Sequence, residues 1–279
     1  MPSARPSLAR RLARVPWLGA ALVSLYRLAI ALRVAGRGLA AAARWWWHSR
    51  EVTNFTWDLT ARNEGQLAAF LAAVTGAEPG RVRALMRELT GDDALRAGLR
   101  DAAARGPDAA ITDAEPRYGR RIGWYVLVRL LRPRVVVESG VDRGLGACVL
   151  AAALARNAAE GHPGSYFGID PNPAAGALLS APLARQGRIL RGDSLERLRE
   201  IDRIDLFIHD SDHSPRHESA EYALLEERLA EGAVVLSDNA HVTDCLLRFA
   251  ERTGRRYLYF AEEPRDHWHP GAGIGAAFP

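Results

Sequence analysis

The chain has 279 residues, 48% hydrophobic and 25% charged, which is enough apolar material for a large core and excludes disordered, collagenous and coiled-coil classes. Its two cysteines, Cys148 and Cys245, stand far apart with no CxxC or Cys/His spacing, so neither a disulfide framework nor a zinc finger is readable and a reducing, cytoplasmic setting fits. All 37 basic residues are arginine: residues 1–50 hold nine and no acid, whereas the remainder holds 28 against 33 acids.

Residues 1–50 therefore read as a separate basic, apolar, helical leader. Arg10, Arg11 and Arg14 precede Pro16, and at 100° per residue Arg33, Arg37 and Arg44 fall on one narrow face. The uncharged run between Arg14 and Arg27 has 12 residues, short of the roughly 20 that cross a bilayer. A basic start, an apolar stretch and Ala29-Ile30-Ala31 also resemble a secretory signal, although Arg27 interrupts it. The leader is expected to lie as an amphipathic helix on an anionic membrane surface, the inner face for a peripheral protein, with Trp45, Trp46 and Trp47 at the interface. Packing on the main domain, or on a second subunit of a homo-oligomer, stands equally open.

Residues 51–115 read as a helical cap. Leu67, Phe70, Leu71 and Val74, then Val82, Leu85, Met86 and Leu89, are each spaced for one helical face, and Gly76 to Gly80 separates the two. Pro107 and Pro116 bracket a linker, and Ile122 to Leu131 forms a further apolar helix that stops before Pro133.

Residues 116–279 form the third segment, in which short β-branched runs alternate with alanine- and leucine-rich helices after Pro133. The runs start at Val135, Tyr166, Arg188, Asp205 and Ala233, and Tyr257 to Phe260 and Gly273 to Phe278 close the chain. The expected fold is an α/β, three-layer Rossmann-like sheet, mostly parallel with its last strand antiparallel.

The first run leads into Glu138-Ser139-Gly140-Val141-Asp142-Arg143-Gly144-Leu145-Gly146, a turn where glycine lets a ligand approach the backbone at a helix N-terminus. There is no Walker lysine, because there is no lysine. The second run ends in Asp170, placed to accept hydrogen bonds from ribose hydroxyls, and Gly192-Asp193-Ser194 follows the third. In this order and at these separations the features resemble the cofactor site of class I S-adenosylmethionine-dependent methyltransferases. The resemblance implies that Glu138, Gly140 and Gly144 line the methionine end, that Asp170 holds the ribose and that Asp193 and Ser194 sit beside the adenine. Taken singly, Asp170 and Asp193 also read as helix N-caps.

The fourth run ends in His209-Asp210-Ser211-Asp212-His213 and the fifth in Ser237-Asp238-Asn239-Ala240-His241; parallel strand ends share one crevice, so these clusters converge across the 28 residues from Asp210 to Asp238. Asp210, Asp238 and Asn239 offer hard oxygen ligands suited to Mg²⁺. They resemble the metal triad of catechol-type O-methyltransferases, and His213 falls where that family and the macrolide-sugar enzymes carry a general base. In the alternative reading Asp210 contacts the cofactor amine and His213 caps the helix near Pro215. His241 and the loop residues His267 and Trp268 are assigned to the acceptor pocket, whereas His162 and His217 read as surface residues. The Asn/Asp-Pro-Pro-aromatic motif of nucleic-acid N-methyltransferases is missing and the α/β part is net acidic, so a nucleic-acid partner is not expected. The resemblance thus implies an S-adenosylmethionine-dependent, Mg²⁺-assisted O-methyltransferase acting on a hydroxylated small molecule or sugar. A metal-independent small-molecule methyltransferase and a non-enzymatic membrane scaffold are the competing readings.

Overall fold

The computed structural model describes residues 16–52 and 56–279; Arg10, Arg11 and Arg14 lie outside the described residues, as does the side chain of Arg37. The chain divides into two units. One runs through Ser49 and includes Asp266–His269, and the other holds Arg50–Arg265 and Pro270–Pro279.

The first unit is built on one continuous helix, α1, Pro16–His48. Its 33 residues extend over about 50 Å at the usual rise per residue. Within this unit Trp268 packs on Trp45 with ring centroids 5.4 Å apart and stacks on His267 at 5.8 Å.

In the second unit, helices α2 (Ala61–Thr75), α3 (Pro79–Thr90), α4 (Asp93–Arg105) and α5 (Arg121–Leu131) precede the sheet. Local chemistry sets their ends. Thr60 accepts the Asn63 N–H at the start of α2, Gly76 ends it in the left-handed conformation, and Glu78 with Pro79 opens α3. Then follow β1 (Val135–Ser139), α6 (Leu145–Ala159), β2 (Ser165–Asp170), β3 (Gly187–Arg191), the short α7 (Ser194–Arg197) and β4 (Ile204–His209). The chain closes with α8 (Pro215–Leu225), β5 (Leu229–Asp238), α9 (Cys245–Thr253), β6 (Arg256–Ala261) and β7 (Gly273–Phe278).

The seven strands form one sheet in the order β3-β2-β1-β4-β5-β7-β6. Strands β1 to β5 pair in parallel, and β7 runs antiparallel between β5 and β6. Side-chain alternation divides the apolar runs between two faces. Val136, Leu206 and Val234 join one core cluster with Leu67, Val82, Trp124 and Leu150, while Val137, Phe207 and Val235 join another with Tyr222, Leu225 and Phe249. The helices expected as a cap over 51–115 share the first of these cores and so form part of an outer layer of the same unit. Between β2 and β3 the described chain has no α-helix, only turns and a 3₁₀ segment at Leu183–Gln186, because Pro171, Pro173 and Pro182 remove donors at short intervals. Strand order reverses at β1, whose neighbours are β2 and β4, and that switch point opens a crevice at the carboxyl ends of the strands.

Candidate active site

A cavity of about 480 Å³ occupies this crevice, within the size range of small-molecule sites. Glu138, Gly140, Asp170, Asp193 and Ser194 line it, together with Arg121, Asp210 and His217. Glycine is required at its floor: a Cβ on Gly140, held at φ 82°, would overlap the Asp210 carbonyl, and one on Gly146 would overlap Glu138 and the Trp124 ring. Gly144 does not line the cavity. It opens α6 at φ 94° and lies against the Gly176 backbone, where a Cβ would come within 2.8 Å of Cα.

Asp170 is held by the turn it faces: Oδ2 accepts the Val141 and Asp142 N–H groups at 2.9 and 3.0 Å, and Oδ1 accepts that of Asn172 at 2.8 Å. A carboxylate has about four acceptor positions, which leaves one for a ligand hydroxyl. Asp193 caps α7 through the Leu195 N–H at 2.7 Å. The Ser194 hydroxyl meets His217 Nε2 at 3.0 Å, and the same nitrogen lies 3.2 Å from Glu221 Oε1. That bond raises the His217 pKa, so this residue belongs to the cavity wall and not to the open surface where the sequence placed it. Elsewhere in the lining, burial pushes the Glu138 carboxyl up to about 8, against the opposing hydrogen bond donated by the Tyr166 hydroxyl.

Asp210 and Arg121 also belong to the acidic cluster at the ends of β4 and β5, which continues outside the cavity lining. Arg120, at the head of α5, donates Nε and Nη2 to the two oxygens of Asp238, and its Nη1 reaches Glu262 Oε2 at 3.1 Å. Glu262 is fixed in turn by the Trp57 indole at 3.0 Å and the Arg120 backbone N–H at 2.8 Å. Arg121 Nη2 stands 3.7 Å from Asp210. Burial disfavours charge on both aspartates, yet the Arg120 charge and hydrogen bonds hold Asp238 below its ordinary value. Asp210 goes the other way, raised by burial and then by the charge of Asp238.

The donor set expected for Mg²⁺ does not fit a metal here. Both Asp238 oxygens already face one guanidinium, Asp210 is held toward its protonated form beside another, and Asn239 turns its amide to His213 Nε2 at 3.1 Å. Among the described residues no group of three His, Cys, Asp or Glu side chains is placed to hold a metal ion. His213 lies 3.9 Å from Asp210 Oδ1, outside the lining of the large cavity, and burial, reinforced by His209, lowers its pKa. Of the residues assigned to the acceptor pocket, His241 is exposed, and His267 and Trp268 belong to the unit of α1; none lines the cavity. Arg120, Arg121 and Glu262 were not among the sequence candidates. Their one signal is the pair of arginines opening an otherwise apolar helix, where the helix dipole disfavours cations.

The sheet order, the crevice and its carboxylate-and-glycine lining define the class I methyltransferase architecture. Residues 137–240 match a family model described as "Methyltransferase domain". Over that stretch, a little more than a third of the chain, the sequence is thus similar to a methyltransferase domain, and the sheet order is that of the Rossmann-like methyltransferase fold. Its fold is similar to that of cofactor-bound Rv0187 from MTB, at 19% identity over 69% of this chain and 92% of the other, with a TM-score of 0.51. A proposed caffeoyl-CoA O-methyltransferase from Staphylococcus aureus aligns at 14% identity over 72% and 99% of the two chains, with a TM-score of 0.50. The O-methyltransferase TomG from Streptomyces achromogenes, solved with SAM, aligns at 22% identity over 67% and 89%, with a TM-score of 0.47. No curated protein matches the chain.

Proposed function

We propose that the chain transfers a methyl group from S-adenosylmethionine to an oxygen of a hydroxylated small molecule, such as a sugar or a catechol-like ring, without a divalent metal. The observation that carries the metal-free reading is the Arg120 guanidinium spanning Asp238, which supplies fixed positive charge where the related metal-dependent site would need a cation. Bound S-adenosylmethionine supplies the electrophilic sulfonium methyl. Glu138 faces the amino-acid end, the remaining acceptor position of Asp170 takes a ribose hydroxyl, and Asp193 and Ser194 border the base. Arg120 and Arg121 offset the carboxylates of Asp238, Glu262 and Asp210 on the acceptor side, which limits the negative charge that a developing alkoxide meets.

His213 is the proton acceptor in this reading. Rotating the Asn239 amide by half a turn presents its oxygen to Nε2–H, and the lone pair on Nδ1 is then available to take the acceptor proton. Its lowered pKa keeps the imidazole neutral at neutral pH. The test is calorimetric titration with S-adenosylmethionine in excess chelator and in Mg²⁺, followed by mass-spectrometric assay against a panel of hydroxylated acceptors under both conditions. Equal cofactor affinity and equal methylation in the two buffers are expected; methylation only with Mg²⁺ refutes the metal-free reading, and no cofactor binding refutes the enzyme.

A further inference from the structure

Helix α1 leaves a continuous apolar stripe uncovered. Leu25, Leu28, Leu32, Leu39 and Trp46 are exposed by 63, 54, 56, 66 and 75%. At 100° per residue these five positions fall within an arc of about 60°. Arg27, Arg33 and Arg44 lie roughly 110–130° from its centre, Arg27 on one flank and the other two on the opposite one. Ala41 occupies the far side of the helix and is buried, at 8% exposure. The arrangement is that of a helix lying flat in an interface, with its leucines in the acyl region and its arginines level with the headgroups.

We propose that α1 docks in the plane of an anionic lipid bilayer through the face formed by Leu25, Leu28, Leu32, Leu39 and Trp46. Charge selects this occupant, since residues 1–50 carry nine arginines and no acid, which suits a negatively charged surface. A second copy of the chain suits the stripe poorly. The positions that would flank a paired-helix seam, Ala29, Ala31, Gly36, Gly38, Ala43 and Trp45, carry no charge to fix register, and pairing would bring two arginine-bearing helices together with no acid on either. The helix is also long and apolar enough to cross a membrane by length and composition. Crossing, however, would draw Arg27 and Arg33 toward the hydrocarbon, whereas lying flat leaves both at the headgroups. Trp45 leaves the expected interfacial set because it packs on Trp268, and Trp46 and Trp47, each 75% exposed, remain.

The test uses the full chain with vesicles of phosphatidylcholine alone and of phosphatidylcholine mixed with phosphatidylglycerol, read by co-sedimentation and by tryptophan emission. Partitioning at least about tenfold stronger onto the anionic vesicles, with a blue shift and release by high salt, is expected. The double substitution Leu28→Glu and Leu32→Glu should abolish partitioning on both vesicles, and Arg33→Gln with Arg44→Gln should weaken only the anionic component, each with the thermal unfolding profile of the second unit retained. Equal partitioning onto neutral vesicles, or retention through high salt and alkaline carbonate, would indicate a spanning or purely apolar mode and overturn the proposal. So would absence of partitioning, or a dimer by light scattering that Leu28→Glu with Leu32→Glu converts to monomer.

Discussion

Arg120 grips both oxygens of the Asp238 carboxylate from the head of α5, joining a helix that precedes the sheet to the end of its fifth strand. Both groups are buried, the side chains exposed by 8% and 0%. Removing one member of such a pair leaves a charge in a medium that cannot solvate it. Arg120→Met should therefore lower the free energy of unfolding by about 3–5 kcal/mol, measured by urea denaturation with an unchanged m-value. Arg120→Lys should also destabilise, because an ammonium cannot donate to two oxygens in the same plane. A loss below about 1 kcal/mol for Arg120→Met would show that the pairing is not the buried contact described.

The same contact makes a statement about metal. With Asp238 taken by Arg120 and Asp210 held toward its protonated form, the wild-type protein should bind Mn²⁺ no more tightly than about 1 mM, read by paramagnetic resonance of the free ion. Micromolar binding that Asp238→Asn removes would restore the metal triad.

How far the sequence could be read depended on the range of the interaction. The sheet was legible because each apolar run is its own signal: Val135 to Val137 and Phe207 need no distant information to be recognised as buried strand. The glycine turn was legible for the same reason: Gly140 and Asp170 occupy fixed places relative to those strands, and both line the crevice cavity. The convergence of Asp210 and Asp238 followed from strand order, but what sits between them did not. Arg120 lies 118 residues before Asp238 and 142 before Glu262, and no local pattern announces which of 37 arginines turns inward. His217 was misplaced because a helix-face histidine beside Pro215 looks solvated until Ser194 and Glu221 are seen against it. His267 and Trp268 were assigned to the acceptor from the loop's place in the topology and from the histidines flanking the tryptophan; in the structure Trp268 packs on Trp45 and His267 stacks on Trp268.

If Glu138 faces the cofactor's amino-acid end, as proposed, it gives cofactor binding a pH dependence. Burial raises its pKa to about 8 in the empty site, so near pH 7 it is mostly protonated, while the cofactor's ammonium group favours the carboxylate. Binding should then release a proton. Affinity for S-adenosylmethionine should rise with pH, by up to about tenfold per unit below the raised pKa, and level off above it. Calorimetry in buffers of different ionisation enthalpy reads the proton directly. Glu138→Gln should bind more weakly at high pH and lose the slope, and a wild-type affinity flat between about pH 6 and 9 would contradict the assignment.

Asp170 holds both the turn and, in the proposed site, the ribose. Asp170→Ala removes the acceptor of the Val141, Asp142 and Asn172 N–H groups along with the position left for the ligand. Cofactor affinity should fall by roughly 1–3 kcal/mol, and amide exchange at Val141 and Asp142 should accelerate even without ligand. A folded variant with unchanged affinity would remove Asp170 from the ribose, whatever its amides do.

The most discriminating prediction concerns His213 and its partner Asn239, 3.1 Å apart. If His213 takes the acceptor proton, His213→Ala should slow methyl transfer by roughly 10²- to 10⁴-fold while leaving cofactor affinity nearly unchanged, because the ring lies outside the cofactor cavity. Burial, with the neighbouring His209, lowers its pKa, so in the wild type the single-turnover rate should rise with pH through one ionisation below the ordinary histidine value and be flat at neutral pH. The variant should lack that step. Asn239→Ala should retain the ionisation but reduce the rate, since the ring keeps its proton chemistry and loses its orientation; Asn239→Asp should shift the ionisation upward by placing a negative charge beside the imidazole. His241 is the control. It is exposed and sits two residues beyond Asn239, so His241→Ala should leave both the rate and its pH profile unchanged. A large rate loss in His241→Ala with none in His213→Ala would move the base to the turn after β5 and separate the Asn239 contact from the chemistry.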